Sequence, residues 1–217
     1  MTVGKETKDT QKLERLEIMR HSASHIMAEA VLSLFPDAKF GIGPATADGF
    51  YYDFELPRTL TPEDLSAIET KMLKIIAEGA PFLREEVDKK AARKMFSSQP
   101  YKLELIDELP DKTVTIYRQG SFTDLCRGPH VASSKQIKAV KLLSIAGAYW
   151  RGDEHRPMLQ RIYGTAFETK EELDEYLNKL AENGRKYSRE YRTEMHHMTS
   201  NLGRLYGMYG DGLFTRM

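Results

Sequence analysis

One cysteine, Cys126, stands in 217 residues, so no disulfide can close within the chain. A reducing cytosol is the simplest compartment for such a sequence. No apolar run approaches the roughly 20 residues that a membrane-spanning helix needs. The first residues, Met1-Thr-Val-Gly-Lys-Glu-Thr-Lys-Asp9, have no apolar signal core. Net charge is also missing: Lys plus Arg and Asp plus Glu both total 32, so overall charge does not point to a nucleic-acid partner. What is present is the ordinary make-up of a water-soluble globular protein, 41% hydrophobic and 29% charged residues. The charge is unevenly spread. From Lys112 to Ile162, nine cations (Lys112, Arg118, Arg127, Lys135, Lys138, Lys141, Arg151, Arg156 and Arg161) face only Asp124, Asp153 and Glu154. Such a run is either a phosphate-attracting face or a surface balanced by acids from elsewhere in the fold.

The pattern along the chain predicts an α+β fold, an antiparallel β-sheet packed with helices on one side. Residues 1–12 read as a disordered leader, charged and poor in apolar positions. From about Leu13 to Phe35, Leu16, Met19, Ala23, Ile26, Met27, Ala30 and Leu34 recur at helical spacing, and Pro36-Asp37 ends the run. Two strands, Lys39–Pro44 and Phe50–Glu55, are expected around an Asp48-Gly49 hairpin turn. A second helix is expected to open with Thr61 as N-cap and Pro62 at its first position, and to stop at Gly79. Val87–Phe96 reads as a short strand followed by a basic helix, and Tyr101–Leu109 as a short helix. Thr113–Arg118, Ser121–Leu125, Ile137–Ile145 and Leu159–Thr165 are β-leaning. Thr169-Lys-Glu-Glu172 has the form of a capping box and predicts a last helix ending at Asn183-Gly184. Residues 185–217, with Arg185, Lys186, Arg189, Arg192 and Arg204, read as a basic C-terminal tail or the start of a linker.

Two short motifs carry chemistry. In His21-Ser-Ala-Ser-His25 the histidines stand at i and i+4, so a helix presents both imidazoles on one face. A zinc-peptidase helix would place Glu after the first His; Ser22 is there instead. In Cys126-Arg-Gly-Pro-His130 the Gly-Pro turn can bring thiol and imidazole to one side of a loop. Together His21, His25, Cys126 and His130 are the donor types zinc prefers, and they use three of the six histidines and the only cysteine. The plainer alternatives are a helix-packing histidine pair and a buried free cysteine.

Longer stretches resemble the editing domain of bacterial threonyl-tRNA synthetases, which is related to the editing modules of alanyl-tRNA synthetases. They are Arg20-His-Ser-Ala-Ser-His-Ile-Met-Ala-Glu-Ala30, Gly41-Ile-Gly-Pro44 with Asp48-Gly-Phe-Tyr-Tyr-Asp53, Phe122-Thr-Asp-Leu-Cys-Arg-Gly-Pro-His130, Ala146-Gly-Ala-Tyr-Trp-Arg-Gly-Asp153 and Met158-Leu-Gln-Arg-Ile-Tyr-Gly-Thr165. The resemblance covers about residues 13–184 in order. It implies hydrolysis of the ester of seryl-tRNA carrying a threonine anticodon, with tRNA as the partner. It implies catalytic roles for His21, His25, Lys102, Asp124, Cys126 and His130, and substrate-binding roles for Tyr52 and Arg127. No cofactor is expected to be required; zinc on His21, His25, Cys126 and His130 is the open option. The alternatives are an inactive tRNA-binding module, an alanyl-type trans-editing deacylase, and a cysteine hydrolase with Cys126 as nucleophile and His130 as base. The resemblance leaves no room before residue 13 for the family's small N-terminal domain, and residues 185–217 are too few for an ATP site. The chain is therefore expected not to activate threonine by itself, and to be either a fragment that works beside a synthetase core or a free-standing editing protein.

Overall fold

The computed structural model describes residues 3–183, with side chains from residue 10 onward. The chain divides into two compact units, Met1–Leu173 and Asp174–Met217, and the candidate site lies wholly in the first. The expected tail and the expected boundary at Gly184 lie outside the described residues.

Helix α1 runs from Val3 to Leu34, starting ten residues ahead of the expected start at Leu13. The residues before Leu13 mix good helix formers (Lys5, Glu6, Lys8, Gln11 and Lys12) with weak ones (Gly4, Thr7, Asp9 and Thr10), and a helix already nucleated by a packed segment propagates into them without the cost of a new nucleus. Ion pairs from Lys12 to Glu172 and from Arg15 to Glu168 hold this stretch against the segment after the last strand. Every position from Ser22 to Val31 is buried. The small residues Ser22, Ala23, Ser24, Ala28 and Ala30 let other elements approach the helix on several sides.

Around this helix lie two antiparallel sheets rather than the single one expected. The larger has the order β1-β2-β7-β6, formed by Lys39–Phe40, Phe50–Glu55, Met158–Phe167 and Ala139–Tyr149. The smaller is β3-β4-β5, formed by Leu83–Asp88, Thr113–Gln119 and Phe122–Leu125. β1 is shorter than the expected Lys39–Pro44, although Gly41 N and Asp53 N still bond across to Asp53 O and Ile42 O at 2.8 and 3.0 Å. Helix α2 (Pro62–Glu78) follows Thr61 as predicted, with Asp64 Oδ2 accepting the Thr61 N–H at 2.8 Å. Two short helices, α3 (Lys89–Met95) and α4 (Pro100–Glu108), connect β3 to β4. Helix α5 occupies 170–183; Thr169 Oγ1 accepts the Glu172 N–H at 3.2 Å, as a capping residue should.

The main core joins α1, α2 and the inner face of the larger sheet through Ile26, Met27, Phe50, Phe54, Ile68, Met72 and Ile162. Asp53 and Arg161 sit opposite each other on β2 and β7 and form a two-pronged ion pair at 2.7 and 2.9 Å, with the guanidinium 3.8 Å over the Tyr51 ring. Two of the motifs behind the family resemblance thus meet in a sheet-locking contact. Among the described helices none is long and apolar enough to cross a membrane.

Candidate functional site

The site forms where α1 faces the end of β5. Along β5, residues two apart share a face, so Phe122 and Asp124 both turn inward. Cys126 extends that face, its N–H still bonded to Thr115 O of β4 at 3.2 Å. Opposite, His21 and His25 project from successive turns of α1. The following loop is stitched to the same helix by Val131 N–H to Ser22 Oγ at 3.0 Å, which brings His130 over the helix. Gly128 makes this loop possible: its φ of 73° is costly for other residues, and a Cβ there would lie 2.3 Å from the Tyr117 hydroxyl.

His21, His25, Cys126 and His130 do come together, their donor atoms all within 4.8 Å of one another. Cys126 Sγ lies 3.3 Å from both His21 Nε2 and His130 Nε2. The other ring nitrogens fix the tautomers. His21 Nδ1 faces the Pro129 carbonyl at 3.3 Å, which can only accept, so Nδ1 carries the proton. His130 Nδ1 faces Ser22 Oγ at 3.1 Å; that hydroxyl spends its own hydrogen on Ile18 O at 2.8 Å, so it accepts from Nδ1. Both Nε2 atoms are therefore bare lone pairs, and they face one thiol with one hydrogen. One imidazole lone pair is left over for a proton, a water or a cation.

The protonation states agree with this assignment. Burial holds His21 below the ordinary imidazole range and His25 well below it. His130 is lowered by burial and then by its two histidine neighbours. Burial also pushes the Cys126 thiol up to about 11, against the partial relief of the Gly128 N–H. At neutral pH the quartet is three neutral imidazoles and a thiol. A nucleophilic cysteine needs a lowered thiol, so this environment runs against the cysteine-hydrolase alternative.

Beside the quartet lies a second, charged group. Lys102 from α4 and Asp124 are both buried, 2% and 3% exposed. Lys102 Nζ lies 2.5 Å from Asp124 Oδ1, off the line of an aligned hydrogen bond, and donates to the Tyr52 hydroxyl at 2.9 Å. Tyr52 donates to Asp124 Oδ2 at 2.6 Å. Burial and the adjacent carboxylate hold the Tyr52 phenol well above its ordinary value, so it remains a donor. His25 Nε2 stands 3.6 Å from Asp124 Oδ2 and links the two groups. Tyr52 is fully buried, so its hydroxyl rather than its ring face belongs to the site. Gly43 packs so closely on that ring that a Cβ would lie 2.0 Å from it. Arg127 is exposed, and no ion pair reaches it among the described residues.

Two clefts open on the quartet. One, of about 540 Å³, reaches His21 between Pro44-Ala45 and Gly128-Pro129. The other, of about 650 Å³, reaches His130 beside Arg15 and Lys138. The basic run is largely balanced by acids from elsewhere: Arg118 pairs with Glu85, Lys141 with Glu69, Arg151 and Arg156 with Glu104, and Arg161 with Asp53. Sequence reasoning missed the role of Ser22, which there only argued against a peptidase helix and here orients His130.

The quartet could hold a metal ion. The 3.3 Å sulfur–nitrogen separations are near the roughly 3.5 Å edge of a zinc tetrahedron, although the widest separation, up to 4.8 Å, would have to close by more than about 1 Å. His21 and His130 each have the far ring nitrogen held by an oxygen, the arrangement that orients metal-bound histidines.

Comparison with known proteins agrees with the family resemblance of the motifs. Residues 114–163 match the family described as the threonyl and alanyl tRNA synthetase second additional domain. The chain is 63% identical over 187 residues to a threonine–tRNA ligase of Dehalococcoides mccartyi, covering 86% of this chain and 32% of that ligase. Similar ligases occur in Rubrobacter xylanophilus, 56% identical over 169 residues (78% and 26%), and Thermotoga petrophila, 55% over 172 residues (78% and 27%). The chain spans about a third or less of the length of these curated relatives. Over most of its length the chain is thus similar to part of threonine–tRNA ligases, and at residues 114–163 to the second additional domain of threonyl- and alanyl-tRNA synthetases.

Proposed function

We propose that this site hydrolyses the aminoacyl ester of seryl-tRNA carrying a threonine anticodon. The observation that carries the reading is a free imidazole lone pair on the quartet beside a buried lysine, the two groups being linked through His25 and Asp124 at 3.6 Å. Hydrolysis of an ester by water needs both a proton acceptor and positive charge where the oxyanion develops. His21 supplies the acceptor: its Nε2 is bare and its ring lines a cleft. It takes a proton from the attacking water and returns one to the departing ribose oxygen, leaving free serine and a tRNA hydroxyl. Lys102 supplies the charge, held by Asp124 and Tyr52 so that it need not reorganise as the reaction proceeds. His25, His130 and Cys126 form the wall against which water is held. Arg127, exposed beside the loop, contributes to the tRNA side.

The 540 Å³ cleft is within the range of about 300–1,000 Å³ typical of small-ligand sites, room for a terminal adenosine with its amino acid. The need for such a site follows from serine's single missing methyl, worth only about 1–3 kcal/mol in an activating pocket. A metal on the quartet would polarise the ester carbonyl or a bound water; the residues named above perform the proton transfers without it. The test is deacylation of purified seryl- and threonyl-tRNA, before and after exhaustive chelation. Faster loss of serine than of threonine, unchanged by chelation, is the expected result. No acceleration over the spontaneous rate of either ester overturns the reading and leaves an inactive tRNA-binding module.

A further inference from the structure

The Ala146–Asp153 motif lies away from the quartet, yet it is tied to the helix that delivers Lys102. Helix α4 has nine residues, too short to hold its position by propensity alone. Its inner face, Lys102 and Ile106, is one turn apart and buried. Its outer face, Tyr101, Glu104 and Glu108, meets the tip of the β6–β7 hairpin. There Glu104 accepts hydrogen bonds from Trp150 Nε1 at 3.2 Å and Arg156 Nη1 at 2.8 Å, and pairs ionically with Arg151 Nε at 3.0 Å. A fourth contact, Arg156 Nη2 to Oε2 at 3.2 Å, completes a two-pronged grip. Arg151 also reaches Glu108 at 2.6 Å, and the Trp150 and Tyr101 rings pack at 4.9 Å.

The hairpin accepts backbone strain to do this. Arg151 sits at φ 58°, left-handed for a side chain with a Cβ. Such positions persist where surrounding contacts over-determine them. Trp150 is the only tryptophan in the chain and is 2% exposed. Two guanidiniums and an indole N–H on one carboxylate exceed what a solvent-facing glutamate needs for helix stability. Nothing else at the hairpin tip explains why they converge on α4.

We infer that Glu104 and Trp150 are positioning residues, clamping α4 so that the Lys102 ammonium is held against Asp124 and Tyr52 at the hydrolytic site. The inference rests on the hydrolytic reading above for its kinetic consequence and on geometry for the clamp itself. Small displacements of a catalytic group cost large rate factors, on the order of 10²-fold for 1 Å.

The experiment compares Glu104→Gln with Asp107→Asn in seryl-tRNA deacylation. Asp107 lies on the same helix but pairs with Arg93 of α3, away from the hairpin. Glu104→Gln is expected to lower kcat about tenfold or more with little change in KM, and Asp107→Asn to leave both unchanged. In a Lys102→Met background, Glu104→Gln is expected to cost nothing further, because its effect passes through Lys102. An additive loss, a loss in KM alone, or equal losses for Glu104→Gln and Asp107→Asn overturns the inference. Arg156→Lys, which keeps the charge and loses the fork, serves if Glu104→Gln folds poorly. Should the unaltered protein cleave neither ester, the hydrolytic reading fails by itself. The clamp is then judged on the Nζ resonance of Lys102 in proton–nitrogen spectra, which Glu104→Gln should shift and Asp107→Asn should not; an unmoved resonance refutes it.

Discussion

Removing the Lys102 ammonium isolates the energetics of the buried pair. In Lys102→Met the methionine fills much of the lysine's volume, but Asp124, 3% exposed, loses its cation and keeps only the Tyr52 hydroxyl and the distant His25 ring. Breaking one side of a buried pair costs about 3–5 kcal/mol, most of it the desolvation of the charge left behind. Asp124→Asn strands the lysine instead and should cost a similar amount. The double variant leaves no buried charge, and replacing both members of such a pair is often close to neutral. A cycle of the two singles and the double, followed by urea unfolding, therefore predicts a double variant more stable than either single. Trp150, 2% exposed, provides the fluorescence signal because unfolding must move it into water. The loss of fluorescence should follow one transition with an unchanged slope, so that midpoints report stability. A double variant whose loss equals the sum of the singles would refute the coupling. It would mean that Lys102 and Asp124 are each solvated independently, and the positive charge assigned to the site would not be held in place by its neighbours.

Two further outcomes follow from the quartet. Cys126→Ala should retain most seryl-tRNA deacylation, because burial keeps the thiol protonated with a value near 11 and gives it no nucleophilic role; rates falling to background, or a trapped acyl group on the unaltered protein, would contradict this. Stability should decline on acidification. His21, His25 and His130 are all depressed below 6.5 in the fold, so the unfolded chain binds protons first as pH falls. Their stabilisation is fully present above about pH 6.5 and is lost progressively below it. The slope contributed by buried His25 grows below pH 6.5 toward a limit of about 1.4 kcal/mol per pH unit. Unfolding free energies measured at pH 7.5, 6 and 5 test it, and a His25→Gln protein with an equally steep decline would show that other groups are responsible.

The elements that could be read from the sequence are those whose signals are local. Thr61-Pro62 and Gly79 bound α2, and alternating apolar residues place β2, because capping and period are fixed within a few residues. The sequence pattern places the start of α1 too late because the residues before Leu13 have no apolar periodicity, and the ion-pair partner of Lys12, Glu172, lies 160 positions away in sequence. The division into two sheets was equally hidden, since strands of similar composition pair according to topology. The site shows the same division. His21 and His25 could be placed on one face by helix geometry, and Cys126 and His130 on one side of a loop by the Gly-Pro turn. Lys102, Tyr52 and Asp124 are suggested only by family resemblance, as nothing in their neighbours marks them as buried.

The least legible feature is the one on which the chemistry depends. Ser22 has one hydrogen and gives it to Ile18 O, its own helix turn, so it must accept from His130. Pro129 O cannot donate, so His21 must. The surplus lone pair is thus decided by a hydroxyl and a carbonyl that carry no catalytic signature of their own. Had Ser22 spent its hydrogen on His130 instead, the imidazole would turn Nε2–H toward the sulfur and the surplus would disappear. A Ser22→Ala protein removes that choice while leaving all four quartet residues in place. It should therefore deacylate more slowly with its quartet intact, and a full rate would locate the proton acceptor elsewhere.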